Sequence, residues 1–140
     1  MGADSINIEV RLDCVPNKEE LHSLYEANNW SSSTKLDQLY LAMQNSHSLV
    51  VAYHGDKLVA LANAISDGYL VVYFPHLLVH PDYQRKGIGS RIIEVLLEKY
   101  KDFHQKMLVA DDNAIEFYKN KGFVLANNTS SMWIYEGGDH

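Results

Sequence analysis

The feature that most constrains the fold is an apolar segment that runs directly into a glycine-containing loop. Residues 69–79 are almost wholly apolar, and such a run predicts a strand in the centre of a sheet. Pro75 lies inside the run and has no N–H for ladder pairing, so we expect a bulge or an end of pairing there. Residues 84–89 then carry two glycines, and an amphipathic helix is predicted over residues 90–100.

The rest of the chain alternates between short strands and amphipathic helices. Further strands are predicted over residues 6–10, 49–53, 58–65, 107–110, 123–126 and 132–135, the last two as a hairpin. Helices are predicted over residues 17–28, from a cap at Ser33 or Thr34 to about residue 45, and from a cap at Asp111 or Asp112 to residue 120. This mixed order predicts one α+β sheet with helices on both faces.

Composition excludes several classes of protein. With 140 residues, 46% of them hydrophobic and 21% charged, the chain is not of the disordered type. No apolar run approaches the roughly 18 residues of a membrane span, and the N-terminus lacks the pattern of a secretory signal. Cys14 is the single cysteine, which rules out an intramolecular disulfide and a cysteine-rich zinc site. We therefore expect a cytoplasmic protein with no membrane partner and no metal.

The charge balance bears on the partners. The chain carries a net charge of -6, from 12 basic and 18 acidic residues. A nucleic-acid-binding domain needs a basic footprint, so no nucleic-acid partner is expected. A negative balance is compatible with cationic substrates such as amines, although solubility is the more common reason for it.

The turn around Gly87 and Gly89 is a candidate anion site. Backbone N–H groups in such a loop can point into one concavity, where the start of the following helix adds partial positive charge. Arg85 and Lys86 add formal charge. The spacing alone fits a plain strand-to-helix turn equally well. It lacks the third glycine of the dinucleotide fingerprint and the Gly-Lys-Ser/Thr end of a P-loop.

Three segments together resemble one known family. Gln84-x-x-Gly87-x-Gly89 is similar to the Gln/Arg-x-x-Gly-x-Gly/Ala signature of the GCN5-related N-acetyltransferases, the GNAT family. The preceding Leu-Leu-Val-His-Pro-x-Tyr of residues 77–83 is typical of that family, as is Asn-Ala-x-x-Phe-Tyr-x-x-x-Gly-Phe over residues 113–123. The resemblance covers nearly the whole chain. It implies a single acyl-CoA N-acyltransferase domain over residues 1–140, with a mostly antiparallel seven-stranded sheet and about four helices.

The resemblance also implies acetyl-CoA as co-substrate. Two central strands would splay apart, the pantetheine arm would bond to the exposed edge of the strand ending at Val79, and the loop amides would cradle the pyrophosphate. Asn113 would bond the pantetheine or help to cap a helix. The implied cofactor-binding residues are Leu77, Leu78, Val79, Gln84, Arg85, Lys86, Gly87, Ile88, Gly89, Ser90, Asn113 and Tyr118.

Tyr118 matches the family tyrosine that protonates the leaving thiolate. A phenol with a pKa near 10 stays protonated at neutral pH. The residue pattern alone favours a core aromatic, since Ile115 and Phe117 are neighbours, and the resemblance reverses that preference. The sequence shows no Ser-His-Asp or Cys-His arrangement, so we expect the amine to attack the thioester directly, without an acyl-enzyme intermediate. The base is open between His76, Tyr73 and ordered water. Aryl-alkylamine acetyltransferases carry histidines at the positions of Tyr73 and Pro75, and this chain has neither.

The acceptor site is expected between the loop at residues 28–33, the turn at residues 66–71 and the last hairpin. Aromatic side chains would form an apolar wall, and a carboxylate would bind a cationic amine. The candidate residues are Tyr25, Trp30, Asp67 and Trp133.

Several functions fit these residues. A small aryl-alkyl or aliphatic primary amine is the favoured acceptor, with a protein lysine or N-terminal amine as the alternative. A non-catalytic acyl-CoA-binding sensor and a nucleotide- or sugar-phosphate-binding protein are the competing classes. The apolar edge of the hairpin at residues 132–135 would need covering, so a homodimer is also expected.

Overall fold

A mixed sheet carries the fold in the computed structural model, which describes residues 7–137. The strands are β1 (Ile8–Leu12), β2 (Ser48–His54), β3 (Lys57–Ser66), β4 (Val71–Tyr73), β5 (Leu77–Val79) and β6 (Gln105–Met107). The helices are α1 (Lys18–Ala27), α2 (Leu36–Gln44), α3 (Ile88–Lys99) and α4 (Ile115–Lys119), with 3₁₀ turns at Ser31–Thr34, Pro81–Tyr83 and Asp112–Ala114.

The sheet has the order β1-β2-β3-β4-β6, and β5 also lies beside β3. Every pair is antiparallel except β4 with β6, which is parallel. The α+β prediction is therefore confirmed. The prediction of seven strands is wrong, since the described residues form a 6-stranded sheet. The predicted hairpin over residues 123–126 and 132–135 forms no strand, because that stretch has no ladder partner within the described chain.

Pro75 divides the predicted strand at residues 69–79 into β4 and β5, as its missing N–H led us to expect. β4 pairs with the end of β3 and β5 with the middle of β3. Between them, Asn63 replaces the ladder: its N–H donates to the His76 carbonyl at 3.1 Å, and its Oδ1 accepts from the His76 N–H at 3.1 Å. The break is thus held by specific hydrogen bonds.

β5 and the chain after β6 diverge. The last bond between the two segments runs from the Phe74 N–H to the Met107 carbonyl at 3.0 Å. Beyond it, residues 108–110 form no strand, and β5 pairs with β3 alone among the described residues. The strand predicted over residues 107–110 accordingly lies two residues earlier, where it faces β4. One edge of β5 is left open.

Helices cover both faces of the sheet. α1 and α2 bury Leu21, Leu24 and Met43 on one face, and α3 buries Ile92 and Leu96 on the other. Such apolar side chains each contribute about 1.5–3 kcal/mol when fully buried. The packing fixes α3, and hence the loop before it, against β5.

The helix starts differ from the predicted caps. Lys35, not Ser33 or Thr34, precedes α2, because the Thr34 hydroxyl donates to the Ser31 carbonyl at 2.8 Å within a 3₁₀ turn. α4 begins after Ala114 rather than after a capping aspartate, since Asp112–Ala114 form another 3₁₀ turn. β1 lies two residues later than predicted, and residue 6 is outside the described residues.

Candidate active site

The glycine loop presents a row of backbone amides at the start of α3. Arg85 and Gly87 have φ values of 64° and 81°, and such left-handed residues turn successive N–H groups toward one side. Within residues 7–137, none of the N–H groups of residues 85–90 donates to a protein acceptor. The Gln84 side chain donates to the Val79 carbonyl at 3.0 Å, which ties the loop to β5. The six amides are therefore available to an anionic ligand.

Gly89 lies where the loop, β5 and α4 meet. A Cβ placed on it would be 3.6 Å from Val79 Cγ2 and 3.7 Å from Phe117 Cζ, which is ordinary contact. Leu77 and Val79 pack on the α3 side of the sheet, whereas Leu78 is buried on the other side. The loop thus adjoins the open edge of β5, as a ligand with both a phosphate and an extended polar arm requires.

Tyr118 lies on α4, half-buried between two aromatic rings. Its ring centroid is 5.0 Å from that of Phe117 and 5.8 Å from that of Phe123. Burial, and secondarily the negative charge of Asp111, raises the pKa of Tyr118 to about 12. The side chain lines a cleft of about 390 Å³ between β6, α4 and residues 123–126. Asn113 is exposed in the 3₁₀ turn before α4.

A larger cavity, of about 610 Å³, opens at the strand break around Pro75. Three segments line it: the 3₁₀ turn after Trp30, the break between β4 and β5, and the C-terminal stretch. The structure brings together Tyr73 and His76, the two candidate bases, with Trp133. The turn at residues 66–71 does not reach this cavity. The lining residues are Ser31, Ser32, Thr34, Lys35, Tyr73, Pro75, His76, Trp133, Ile134, Tyr135, Glu136 and Gly137.

His76 lines the cavity, and its ring contacts Tyr25 and Trp30. Its Nδ1 lies 2.7 Å from the hydroxyl of Tyr25, and Trp30 packs perpendicular to its ring at a centroid distance of 5.1 Å. Tyr25 is 0% exposed, and burial raises the pKa of its hydroxyl. Tyr25 therefore lies behind His76 rather than in the cavity wall.

Asp67 closes a turn. Its Oδ1 accepts N–H bonds from Tyr69 at 2.9 Å, Leu70 at 2.8 Å and Val71 at 3.3 Å. These bonds, with that from Leu70 the largest contribution, hold the pKa of the carboxyl below its usual value. Asp67 does not line the cavity described above.

Asn63 is the residue of this site that sequence reasoning missed. It is 3% exposed in the middle of β3, holds the backbone of His76 through its Oδ1, and donates from Nδ2 to the Ser46 hydroxyl at 3.0 Å. The available signal was a lone amide in the apolar run at residues 58–65. A buried amide needs partners, and such a residue marks a place where the backbone departs from the ladder.

The C-terminal stretch is attached to the turn that forms the opposite wall. The Tyr135 and Ser31 hydroxyls are 3.1 Å apart, and Lys35 pairs with Glu136 at 3.1 Å. Ser32 contributes a buried hydroxyl that has no hydrogen-bond partner in the described part of the chain. The cavity wall thus combines hydroxyl groups, aromatic rings and the ion pair between Lys35 and Glu136.

Comparison with known proteins decides the family. The profile described as "Acetyltransferase (GNAT) domain" matches residues 15–132. The chain belongs to the GNAT family. Among solved structures, this GNAT chain superimposes on a GNAT-family acetyltransferase of Streptococcus pneumoniae TIGR4 with a TM-score of 0.81 and 28% identity, covering 93% of this chain and 99% of that one.

Curated relatives of this GNAT chain are longer. It is 26% identical to "Uncharacterized N-acetyltransferase ycf52" of Gracilaria tenuistipitata var. liui, covering 85% of this chain and 68% of that protein. It is 30% identical to "Histone acetyltransferase TAP1" of Glycine max, covering 74% and 50%. The chain therefore spans from half to about two thirds of the length of these relatives.

Membership makes the chain an acetyl-CoA-dependent acetyltransferase of GNAT type. The amide row of residues 85–90 and the open edge of β5 fit that co-substrate. No helix between residues 7 and 137 is long and apolar enough to cross a bilayer.

Proposed function

We propose that the protein transfers the acetyl group of acetyl-CoA directly to a primary amine of a small molecule, with aryl-alkyl or aliphatic amines favoured. The observation that carries this proposal is the cavity of about 610 Å³ that opens on the strand break next to β5. The break places polar side chains beside the open edge, where the transferred group would lie. The reaction needs an amine site at that point.

Residues of the glycine loop, β5 and the turn before α4 would hold acetyl-CoA. The amides of residues 85–90, with the charges of Arg85 and Lys86, would hold the pyrophosphate. β5 and Asn113 would hold the pantetheine, and Gln84 keeps the loop against Val79. When bound, the co-substrate supplies the thioester that makes the acetyl group transferable.

Tyr118 is the proposed general acid. Its phenol keeps its proton near neutral pH because burial raises its pKa to about 12. The side chain holds that proton for the departing sulfur, which spares the site a full negative charge. Packing against Phe117 and Phe123 holds the ring of Tyr118.

His76 and Tyr73 are the side chains beside the amine. Both line the cavity, and either one, or a water molecule held by one of them, would receive the proton that the amine loses. Which of them serves depends on which nitrogen of His76 carries hydrogen.

The cavity favours a small acceptor with one amine. Its two charged lining residues, Lys35 and Glu136, pair with each other, so the wall presents no unpaired carboxylate for a second ammonium group. Trp133 and Tyr135 stack at 4.7 Å and offer an apolar face. A protein lysine or N-terminal amine is the second candidate, supported by the relative named histone acetyltransferase.

An acceptor screen tests the proposal. The protein is incubated with acetyl-CoA and separate aryl-alkylamines, aliphatic amines, polyamines, amino sugars and lysine or N-terminal peptides, and released CoA is measured with a thiol reagent. Turnover with a small monoamine, well above amine-free hydrolysis, supports the proposal. Turnover with peptides alone selects the second candidate. Tight acetyl-CoA binding with no turnover on any amine identifies a non-catalytic acyl-CoA sensor.

We retain a cytoplasmic location as a prediction. A relative from Arabidopsis thaliana is named as chloroplastic, at 35% identity over 69 residues, so a plastid is the alternative. Fractionation of the source cells, with detection of the full-length protein by an antibody, distinguishes the two.

A further inference from the structure

The contact between Tyr25 and His76 restricts where the imidazole hydrogen lies. The Tyr25 hydroxyl is 2.7 Å from His76 Nδ1, and Tyr25 is fully buried. Within residues 7–137, this nitrogen is the hydrogen-bond partner of the Tyr25 hydroxyl. A buried hydroxyl hydrogen needs an acceptor, so the phenol donates to Nδ1.

The direction of that bond settles the tautomer. A neutral imidazole carries one N–H, and a nitrogen that accepts a hydrogen bond is the one without hydrogen. With Nδ1 as acceptor, Nε2 carries the hydrogen. The opposite tautomer would set two hydrogens against each other or leave the Tyr25 hydrogen buried without an acceptor.

Two further contacts fix the position of the ring. Asn63 Oδ1 accepts the His76 N–H at 3.1 Å, and Asn63 is itself anchored by its bond to Ser46. Trp30 packs edge-on against the imidazole at 5.1 Å and against Tyr25 at 5.6 Å. Backbone, ring plane and one ring nitrogen are thus each held by a different residue.

We propose that Tyr25 and Asn63 are positioning residues that hold His76 as the Nε2–H tautomer, so that His76 donates a hydrogen bond to an oxygen of the reactants in the cavity instead of accepting the amine proton. This rests on the proposed function, because it assigns a role to a side chain of the same site. The amine proton then goes to Tyr73 or to water. A second hydrogen, on Nδ1, would face the Tyr25 hydroxyl and leave the hydrogen of that hydroxyl without its acceptor.

Nitrogen NMR of the imidazole tests the tautomer directly. In protein with ¹⁵N-labelled histidine at about pH 8, above the usual histidine pKa of about 6.5, we expect His76 Nδ1 in the pyridine-type range and Nε2 in the pyrrole-type range. Tyr25→Phe should lose this separation and give shifts averaged between tautomers. Tyr40→Phe, a half-buried tyrosine of the same core cluster, should keep it. A hydrogen on Nδ1 in the wild type, or unchanged shifts in Tyr25→Phe, overturns the proposal.

Two substitutions at His76 test the role of the donor. Glutamine retains an N–H donor and a carbonyl that can accept from Tyr25, but it cannot take a proton. We expect His76→Gln to remain within about tenfold of the wild-type kcat/KM, the scale of one hydrogen bond, and His76→Ala to fall further. Loss of a base would cost both variants about 10²–10⁴. A glutamine variant no more active than the alanine variant overturns the donor role.

The two measurements separate this proposal from the proposed function. If no amine is acetylated while the NMR shows Nε2–H, the function is wrong and the positioning of His76 stands. If amines are acetylated while Nδ1 carries the hydrogen, the positioning is wrong and the function stands.

Discussion

Tyr118 is a side chain at which binding and chemistry can be separated. Tyr118→Phe removes one hydroxyl and keeps the ring between Phe117 and Phe123. Turnover should fall by about 10² or more, while acetyl-CoA affinity changes little, because the lost interaction matters mainly as the sulfur departs. Single-turnover kinetics and equilibrium binding measure the two quantities.

The control for this substitution is Tyr69→Phe, which alters a tyrosine 89% exposed in the β3–β4 turn and should leave both quantities unchanged. Unchanged turnover in a folded Tyr118→Phe protein, under conditions where chemistry is slow, would make Tyr118 a packing residue.

Asp67 is expected to affect the stability of the protein rather than its catalysis. Three backbone amides hold the pKa of its carboxyl below the usual value. The stability it contributes is therefore present above the unfolded-state pKa and lost as the pH falls through the folded-state pKa. Asp67→Ala should lower the Tm near neutral pH, and the difference from wild type should shrink in acid. The KM for the amine should stay unchanged; a large rise in KM would place Asp67 at the acceptor site.

The loop between β5 and α3 is the element that we propose to bind acetyl-CoA. Replacing Gly87 and Gly89 together by Asp adds bulk and negative charge beside the amides of residues 85–90. Acetyl-CoA affinity should fall by at least about tenfold, equivalent to about 1.4 kcal/mol. Isothermal titration calorimetry measures the affinity.

Gly55→Asp is the matched control, since Gly55 also has a positive φ, of 61°, but lies in the β2–β3 turn. It should bind acetyl-CoA like the wild type, and its loss of stability measures the effect of backbone strain alone. Wild-type affinity in a folded double variant would remove the loop from the cofactor site.

The whole molecule leaves a large apolar surface near its C-terminus. Met132 is 93% exposed, Trp133 71% and Ile134 104%, and soluble monomers seldom leave such a contiguous patch open to water. We predict a homodimer that covers residues 132–134. Light scattering should give twice the chain mass, and Ile134→Glu should shift the protein to the monomer.

Leu41→Glu, at a side chain 55% exposed on α2, serves as the control and should leave the mass unchanged. A wild-type monomer at high micromolar concentration would contradict the prediction.

Local sequence patterns determined the order of elements and the position of the glycine loop. Helical spacing and the Gly-x-Gly turn act over a few residues, so the chain shows them without its tertiary structure. Pro75 likewise predicted a break in the strand, because the missing N–H is a property of the residue itself.

Only the tertiary structure decided what surrounds that break. The contacts of His76 with Tyr25 and Asn63 join residues 51 and 13 positions apart, and no local pattern encodes them. Asp67 looks like an amine ligand in the sequence, yet its Oδ1 accepts three backbone N–H bonds from the turn it closes. The prediction of a last hairpin was wrong because a strand needs a neighbouring strand to accept its hydrogen bonds. Which segments become neighbours depends on the packing of the whole chain.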